Sequence, residues 1–431
     1  MDYKASKYNI ICRTGTKVLL FNTLSGSFVE FNEKLRNELN ICLSKLEGNK
    51  EIVEYLKSKE FIIPGFVDED EKVRMLEEKI RQNSNQLSLV IMTTEKCNFR
   101  CEYCYEVNRK AGMRQESMDK IVDFVKQRIE NYESLNVEWF GGEPMLEMQV
   151  MEYLSSKLIN ICRDKKIPYG AGITTNGFFL TPDNVKKLKK MNVSRYQITL
   201  DGMKETHDAQ RCLSGGKGSW DIIVQNLKDV RDTIHSQALE FIIRTNITRE
   251  IYNSFDRYLD FIMKEFVIDK RFSFLFRVAS DWGGDISDEA KSKFIGKEEY
   301  LHIIRTALEH NIPIDYFRTV LRPGGLLCYA WKEGVYVFNP EGRRVRCTLK
   351  INDYQSAEDF RTRDYSKYGH PQKCLECKKF PLCLKVNCNL SKENEDRQVE
   401  CEYDVENIEN LLPYLASDYY NCEIYTGEVY E

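Results

Sequence analysis

The chain has 431 residues, 42% of them hydrophobic and 30% charged, with a formal net charge of −4 at pH 7. That length exceeds what one hydrophobic core supports, so two or three domains are expected. The near-neutral balance excludes a disordered chain and an extended nucleic-acid footprint.

The first nine residues mix Asp2, Lys4 and Lys7 with polar groups and lack an apolar signal core, and no apolar run approaches membrane-spanning length. A cytoplasmic protein with no membrane partner and no nucleic-acid partner is expected. In a reducing compartment the fifteen cysteines serve metal or catalysis better than disulfides.

Residues 1–80 read as a small α+β unit. Apolar segments at Ile10–Cys12, Val18–Asn22 and Phe28–Phe31 are joined by Thr14-Gly15 and Ser25-Gly26 turn signals. Leu35, Leu39, Ile41, Leu46, Ile52, Leu56 and Phe61 then recur at helical spacing, and the charged stretch Asp68–Arg81 reads as a linking helix. Over 81–315, six strand-like runs alternate with amphipathic helices: Leu87–Met92, Val137–Phe140, Gly172–Thr175, Tyr196–Leu200, Phe241–Thr245 and Phe272–Val278. Six β/α units predict an α/β fold with a parallel, partial (β/α)6 barrel. Polar or glycine-bearing motifs follow the strands, and in such folds chemistry gathers at the carboxyl ends of strands. Residues 316–431 hold a cysteine-rich stretch too poor in apolar periodicity for a large core, so metal is expected to supply much of its folding energy. From Val405 onward a capping helix and tail are expected.

Cys97, Cys101 and Cys104 form a C-x3-C-x2-C array after the first barrel strand, with Tyr103 inside it. Three thiolates hold three irons of a [4Fe-4S] cube and leave the fourth open, because each iron takes one cysteine. A zinc site, the alternative, usually completes four ligands locally. The stretch Thr93-Thr94-Glu95-Lys96-Cys97-Asn98-Phe99-Arg100-Cys101-Glu102-Tyr103-Cys104-Tyr105 closely resembles the radical S-adenosylmethionine (SAM) superfamily. The resemblance implies that SAM binds the open iron and is cleaved to a 5′-deoxyadenosyl radical by the array Cys97, Cys101 and Cys104. Gly141-Gly142-Glu143-Pro144 is similar to the family's GGE element, which meets the amino group of SAM. Thr199, just before Asp201-Gly202, stands where the family often has Ser and by resemblance faces SAM. Asn176 is a further candidate, and Arg211, in His207-Asp208-Ala209-Gln210-Arg211, matches a family pattern near the substrate side, where a structural ion pair is the equal alternative.

A second array runs Cys328, Gly342, Cys347, Cys374, Cys377, Cys383, Cys388 and Cys401. It is similar to the SPASM domain, the twin auxiliary-cluster extension of radical SAM peptide maturases. One spacing departs: four residues separate Cys383 and Cys388 where the family has three. By resemblance Cys374, Cys377, Cys383 and Cys401 complete one auxiliary cluster, and Cys328, Cys347 and Cys388 bind the other. That makes three [4Fe-4S] clusters with SAM. The latter auxiliary set is one ligand short. A substrate thiolate suits an open iron, and a spare cysteine (Cys12, Cys42, Cys162, Cys212 or Cys422) or solvent is the alternative. Zinc held by Cys374, Cys377, Cys383 and Cys388 is also open.

Residues 1–80 loosely resemble the winged-helix-like leader-recognition element of ribosomal-peptide maturases, whose edge strand takes a peptide by β-augmentation; a packing domain without ligand is the alternative. The resemblance as a whole implies a peptide maturase of the sactipeptide and ranthipeptide type. Its partner is a ribosomally made, cysteine-rich precursor peptide with a leader, its electron donor a flavodoxin or ferredoxin, and its product a Cys-derived thioether. Carbon-carbon or carbon-oxygen crosslinking and formylglycine formation in sulfatases are alternatives. The last is disfavoured because Thr348 follows Cys347 where related sulfatase maturases carry Asp. An iron-sulfur protein that binds peptide or senses redox state is the non-enzyme alternative. Lys186, Lys187, Lys189 and Lys190 read as a solvated helix face, the five histidines show no metal-ligand spacing, and Asp281 and Asp285 read equally as loop residues.

Overall fold

The structure, a computed structural model, describes residues 2–82, 85–106, 112–282, 286–345, 347–349, 370, 372–384, 401, 403–416 and 420–427. In chain order the described strands are β1 (Tyr3–Ala5), β2 (Asn9–Thr14), β3 (Lys17–Asn22), β4 (Phe28–Asn32), β5 (Ile62–Pro64), β6 (Gln86–Thr94), β7 (Phe99–Cys101) and β8 (Ser134–Gly141). They continue with β9 (Tyr169–Thr175), β10 (Val193–Thr199), β11 (Arg211–Leu213), β12 (Glu240–Ile247), β13 (Phe272–Val278), β14 (Val335–Phe338), β15 (Arg344–Val345) and β16 (Glu423–Ile424). Two compact units result. One joins Met1–Asn83, Asp315–Lys332 and Asp364–Glu431; the other joins Ser84–Ile314 and Glu333–Arg363.

The second unit is built on a mixed sheet of order β13-β12-β10-β9-β8-β6-β14-β15. All six expected barrel strands are present and parallel to their neighbours. Helices such as Met148–Lys165, Pro182–Lys190 and Trp220–Thr233 connect them. The strands alternate with period two: in β8, Leu135, Val137 and Trp139 are buried while Asn136, Glu138 and Phe140 are half-buried. One sheet face therefore packs against apolar side chains, and the other carries polar groups. Tyr196, Phe241 and Phe272 are register partners on adjacent strands and stack with ring centroids 5.0 and 5.1 Å apart. The sequence gives no sign of β14, which adds parallel to β6, or of the antiparallel β15. Gly342 turns this hairpin at φ +70°, and a Cβ there would sit 2.9 Å from the backbone of Ser117. The glycine of the cysteine pattern is thus a turn residue pressed against the start of the helix Gln115–Lys126.

In the first unit, β2, β3 and β4 form an antiparallel meander. Val18, Leu20, Val29 and Phe31 pack with Leu39, Leu56 and Phe61 from the helices Arg36–Lys45 and Lys50–Ser58 and the turn after them. The charged stretch after Asp68 is helical over Glu69–Gln82, as its pattern predicts. The helix Ile408–Leu415 packs on β2. Beyond it the expected tail supplies β16, which joins β4 in parallel. The cysteine-rich stretch does have apolar support. Tyr8, Val73, Leu327, Trp331, Phe380 and Leu384 cluster, with Cys374 and Cys377 packed against them. Because these residues come from separated stretches, no local periodicity announces them. Among the described residues no helix is long and apolar enough to cross a membrane.

Candidate active site

The site begins where β8 meets the loop after β6. Gly141 adopts φ +119°, where a Cβ would lie 2.3 Å from the Thr94 carbonyl oxygen. At Gly142 a Cβ would lie 2.4 Å from the Lys96 oxygen and 2.8 Å from that of Glu95. Only glycines allow this approach. It lets the Gly142 and Glu143 amides donate to the carbonyls of Thr94 (3.0 Å) and Lys96 (2.9 Å). The Gly-Gly pair thereby fixes the loop that leads into Cys97.

Glu143 is fully buried. Its carboxylate accepts from the amides of Met145 (3.0 Å) and Asn176 (2.8 Å) and from the Thr175 hydroxyl at 2.9 Å. Burial raises its pKa to about 7 against the pull of these donors and of Arg211. The carboxylate thus ties the ends of β8 and β9 together. Asn176 in turn donates to Asn98 Oδ1 (2.8 Å) and lies 3.9 Å from Cys97 Sγ. Thr199 is buried at the end of β10, paired in register with Arg244.

A second network surrounds Tyr103. Its hydroxyl donates to Asp201 and accepts from Arg211 Nη1 (2.8 Å) and Asn246 Nδ2 (3.1 Å). The Asn246 amide donates to Asp201 Oδ1 at 2.7 Å. Arg211 Nε lies 3.9 Å from Asp201 Oδ2 and has no hydrogen-bond partner among the described residues. Burial opposes the Arg211 charge, but Cys101, Tyr103 and Asp201 outweigh it and hold the group cationic. His207 underpins the network. Its Nδ1 accepts the Asp201 amide (3.1 Å), so Nε2 carries the proton and faces Ser219 Oγ (3.0 Å), which donates to the Arg211 carbonyl (2.9 Å). The sequence offered Asp201 and His207 only as parts of motifs and did not single out Asn246. The one available signal was repetition, because Thr175, the last residue of β9, is followed by Asn176 and the same Thr-Asn pair recurs in β12 at 245–246.

Cys97, Cys101 and Cys104 lie at this end of the sheet. β7 pairs with β11 so that Cys101 faces Arg211 in register. Burial pushes the Cys97 and Cys101 thiols up to about 11 and about 12, while Arg211 draws both down. Among the described residues no three Cys, His, Asp or Glu side chains can share a single metal ion. In a cubane each thiolate binds its own iron. Three thiols beside a buried guanidinium with an unpartnered Nε fit an anionic thiolate-ligated cluster and a carboxylate-bearing ligand.

The remaining cysteines divide by unit. Cys328, Cys374, Cys377, Cys383 and Cys401 fall in the first unit and Cys347 in the second. Cys374 lies in the short helix Gln372–Leu375 with Cys377 after it, and Cys383 closes Phe380–Cys383. Cys377 Sγ accepts the Lys379 amide at 3.4 Å. Cys347 is buried, Cys328 and Cys401 are exposed, and Cys388 lies outside the described residues, as does Asp285.

Residues 91–262 match the family model described as the Radical SAM superfamily. Among curated proteins, the chain is 28% identical over 163 residues to Fe-coproporphyrin III synthase of Methanosarcina barkeri, covering 38% of each chain. It is 26% identical over 186 residues to the mycofactocin maturase MftC of Mycolicibacterium smegmatis, covering 43% of this chain and 44% of that one. The match thus spans less than half the length of these relatives. Among solved structures, native anSMEcpe with bound AdoMet and Cp18Cys peptide aligns with TM-score 0.59 at 17% identity, over 78% of this chain and 98% of that one, a likeness of fold. With the cysteine array, the Gly-Gly-Glu turn and most of the parallel core inside or bordering the matched segment, residues 91–262 of this chain form a radical SAM domain.

Proposed function

We propose that this enzyme is a radical SAM peptide maturase that links a cysteine sulfur of a ribosomally made precursor peptide to a carbon of the same peptide. The reading rests on the placement of Cys97, Cys101 and Cys104 beside the buried Arg211–Tyr103–Asp201 network. Cys97, Cys101 and Cys104 would hold the SAM-binding cluster, and Tyr103, Gly141, Gly142, Glu143, Asn176, Thr199 and Arg211 would line the SAM site, the Glu143 carboxylate also bracing the turn. When bound, the cluster and SAM supply one-electron chemistry that removes a hydrogen atom from substrate. The chain's part is to hold position: Gly141 and Gly142 fix the cysteine loop, and the cationic Arg211 favours thiolates and an anionic ligand group. Cys374, Cys377, Cys383 and Cys401 would hold one auxiliary cluster, and Cys328, Cys347 and Cys388 would hold another, one ligand short, at which a substrate thiolate would be the further ligand. In the proposed division, 1–80 binds the leader, 81–315 is the barrel and 316–431 carries the auxiliary clusters, with flavodoxin or ferredoxin as electron donor.

The test is anaerobic reconstitution, an iron and sulfide count, then dithionite and SAM with chromatography for 5′-deoxyadenosine. About twelve irons with 5′-deoxyadenosine formed support the reading. About four irons would remove the auxiliary clusters. A fully loaded protein that never forms 5′-deoxyadenosine, even with a cysteine-rich candidate peptide, would favour a binding protein. Mass spectrometry of a converted peptide separates a thioether from carbon-carbon or carbon-oxygen links, and from formylglycine.

A further inference from the structure

The outer edge of β4 is occupied by a segment nearly 400 residues further along the chain. β16 pairs with it in parallel through Glu423↔Val29 and Ile424↔Glu30, and the Tyr425 amide donates to the Glu30 carbonyl at 2.9 Å. Only two residues form the ladder. The side chains do the anchoring. Tyr425 sits between Phe31 of β4 and Tyr55 of the helix Lys50–Ser58, with ring centroids 5.1 and 4.8 Å away. Glu423 meets Lys59 Nζ at 2.5 Å and the Tyr55 hydroxyl at 3.5 Å. Ile424, between them, is 62% exposed. This resembles a bound extended peptide: main-chain pairing to a sheet edge and one aromatic side chain in a cleft, with Glu423 held at the rim by Lys59, its side chain 56% exposed, and Ile424 in solvent.

We infer that the β4 edge, with the Phe31–Tyr55 cleft and Lys59, is a peptide-docking groove, and that Glu423–Tyr425 is an exchangeable occupant standing in for an external segment. The inference deepens the leader-binding reading and rests on it. It specifies the ligand as an extended segment with an acidic residue two positions before an aromatic one. A short strand held by two ladder residues is easily displaced, but its tether gives it a local concentration in the millimolar range. An external peptide must outcompete that, so the segment sets a threshold for substrate entry.

The probe is a fluorescent peptide of residues 421–427 with Ser in place of Cys422, followed by anisotropy with the full chain. Tyr425→Pro in the protein removes both the ring and the amide that bonds to Glu30. The variant is expected to bind the probe at least tenfold more tightly than wild type, and a probe carrying Tyr425→Ala is expected to lose that binding. Equal binding by wild type and variant, or no binding by a variant that keeps the wild-type circular dichroism melt, overturns the inference. Hydrogen exchange on the wild type decides the matter should the variant not fold. Glu423–Tyr425 amides are expected to exchange at least tenfold faster than those of Val18–Phe21, and equal protection makes β16 a permanent strand. 5′-Deoxyadenosine formation in the same samples keeps the two readings apart: probe binding without it retains the groove and removes the radical maturase. 5′-Deoxyadenosine without probe binding does the reverse.

Discussion

His207 shows how one neutral side chain can hold a charged site. Burial first, and the Arg211 charge second, depress its pKa from 6.5 to about 3. A depressed base is stabilising above its unfolded value, and that contribution is lost as pH falls from 6.5 towards 3. Between pH 6.5 and 5 the loss is about 2 kcal/mol at 1.36 kcal/mol per unit. Urea unfolding of wild type and His207→Gln at pH 7 and pH 5 checks this: the acid-side drop should be about 2 kcal/mol smaller in the variant, and identical drops would remove His207 as the cause. At Gly142 the obstacle is backbone rather than charge. Gly142→Ala should cost about 1–3 kcal/mol, because the Lys96 and Glu95 carbonyls cannot move without shifting the cysteine loop. Gly215→Ala, where a Cβ would meet nothing within 4 Å among the described residues, is the matched control in the same thermal melts. Gly142 and His207 were both visible in the sequence, Gly142 in the Gly-Gly-Glu motif and His207 in the stretch that leads to Arg211 and as a histidine without metal spacing. What neither spacing nor composition reveals is the partner: Asp201, Ser219 and Arg211 reach His207 through the turn after β10 and the β11 segment.

At the scale of elements, the sheet is legible where strands are long and apolar. β6, β8, β9, β10, β12 and β13 were expected from apolar or β-branched runs that end in turn residues. Their cross-strand ladder adds a test. Phe241 is fully buried between Tyr196 and Phe272, so Phe241→Ala should destabilise by about 3–5 kcal/mol. The shift in urea midpoint at unchanged slope measures it. Short strands behave differently. β14, β15 and β16 have two to four residues each, too few to show periodicity, and they exist because a partner edge from elsewhere in the chain satisfies their backbone groups. The same explains the apolar cluster under Cys374 and Cys377: Tyr8, Val73 and Trp331 are far apart in sequence and meet only after folding.

For the whole molecule, the assignment of the second cysteine array carries its own test. Replacing Cys374 and Cys383 together with Ala should lower bound iron from about twelve to about eight per chain and leave the iron of the cluster proposed at Cys97, Cys101 and Cys104 in place. An unchanged count would mean that these two cysteines hold no cluster. The sequence by itself determined the chemistry-bearing residue types and their local order: the C-x3-C-x2-C spacing, the Gly-Gly-Glu turn and the six β/α repeats are set by residues a few positions apart, where backbone geometry leaves little choice. Tertiary structure decided which distant groups meet. Asn246 reaches Asp201 through the register of β10 against β12, Arg211 faces Cys101 because β7 pairs with β11, and Tyr425 reaches Phe31 through a strand contributed from across nearly the whole chain. Register and edge pairing depend on the summed burial of many side chains, a quantity that no single stretch of sequence contains.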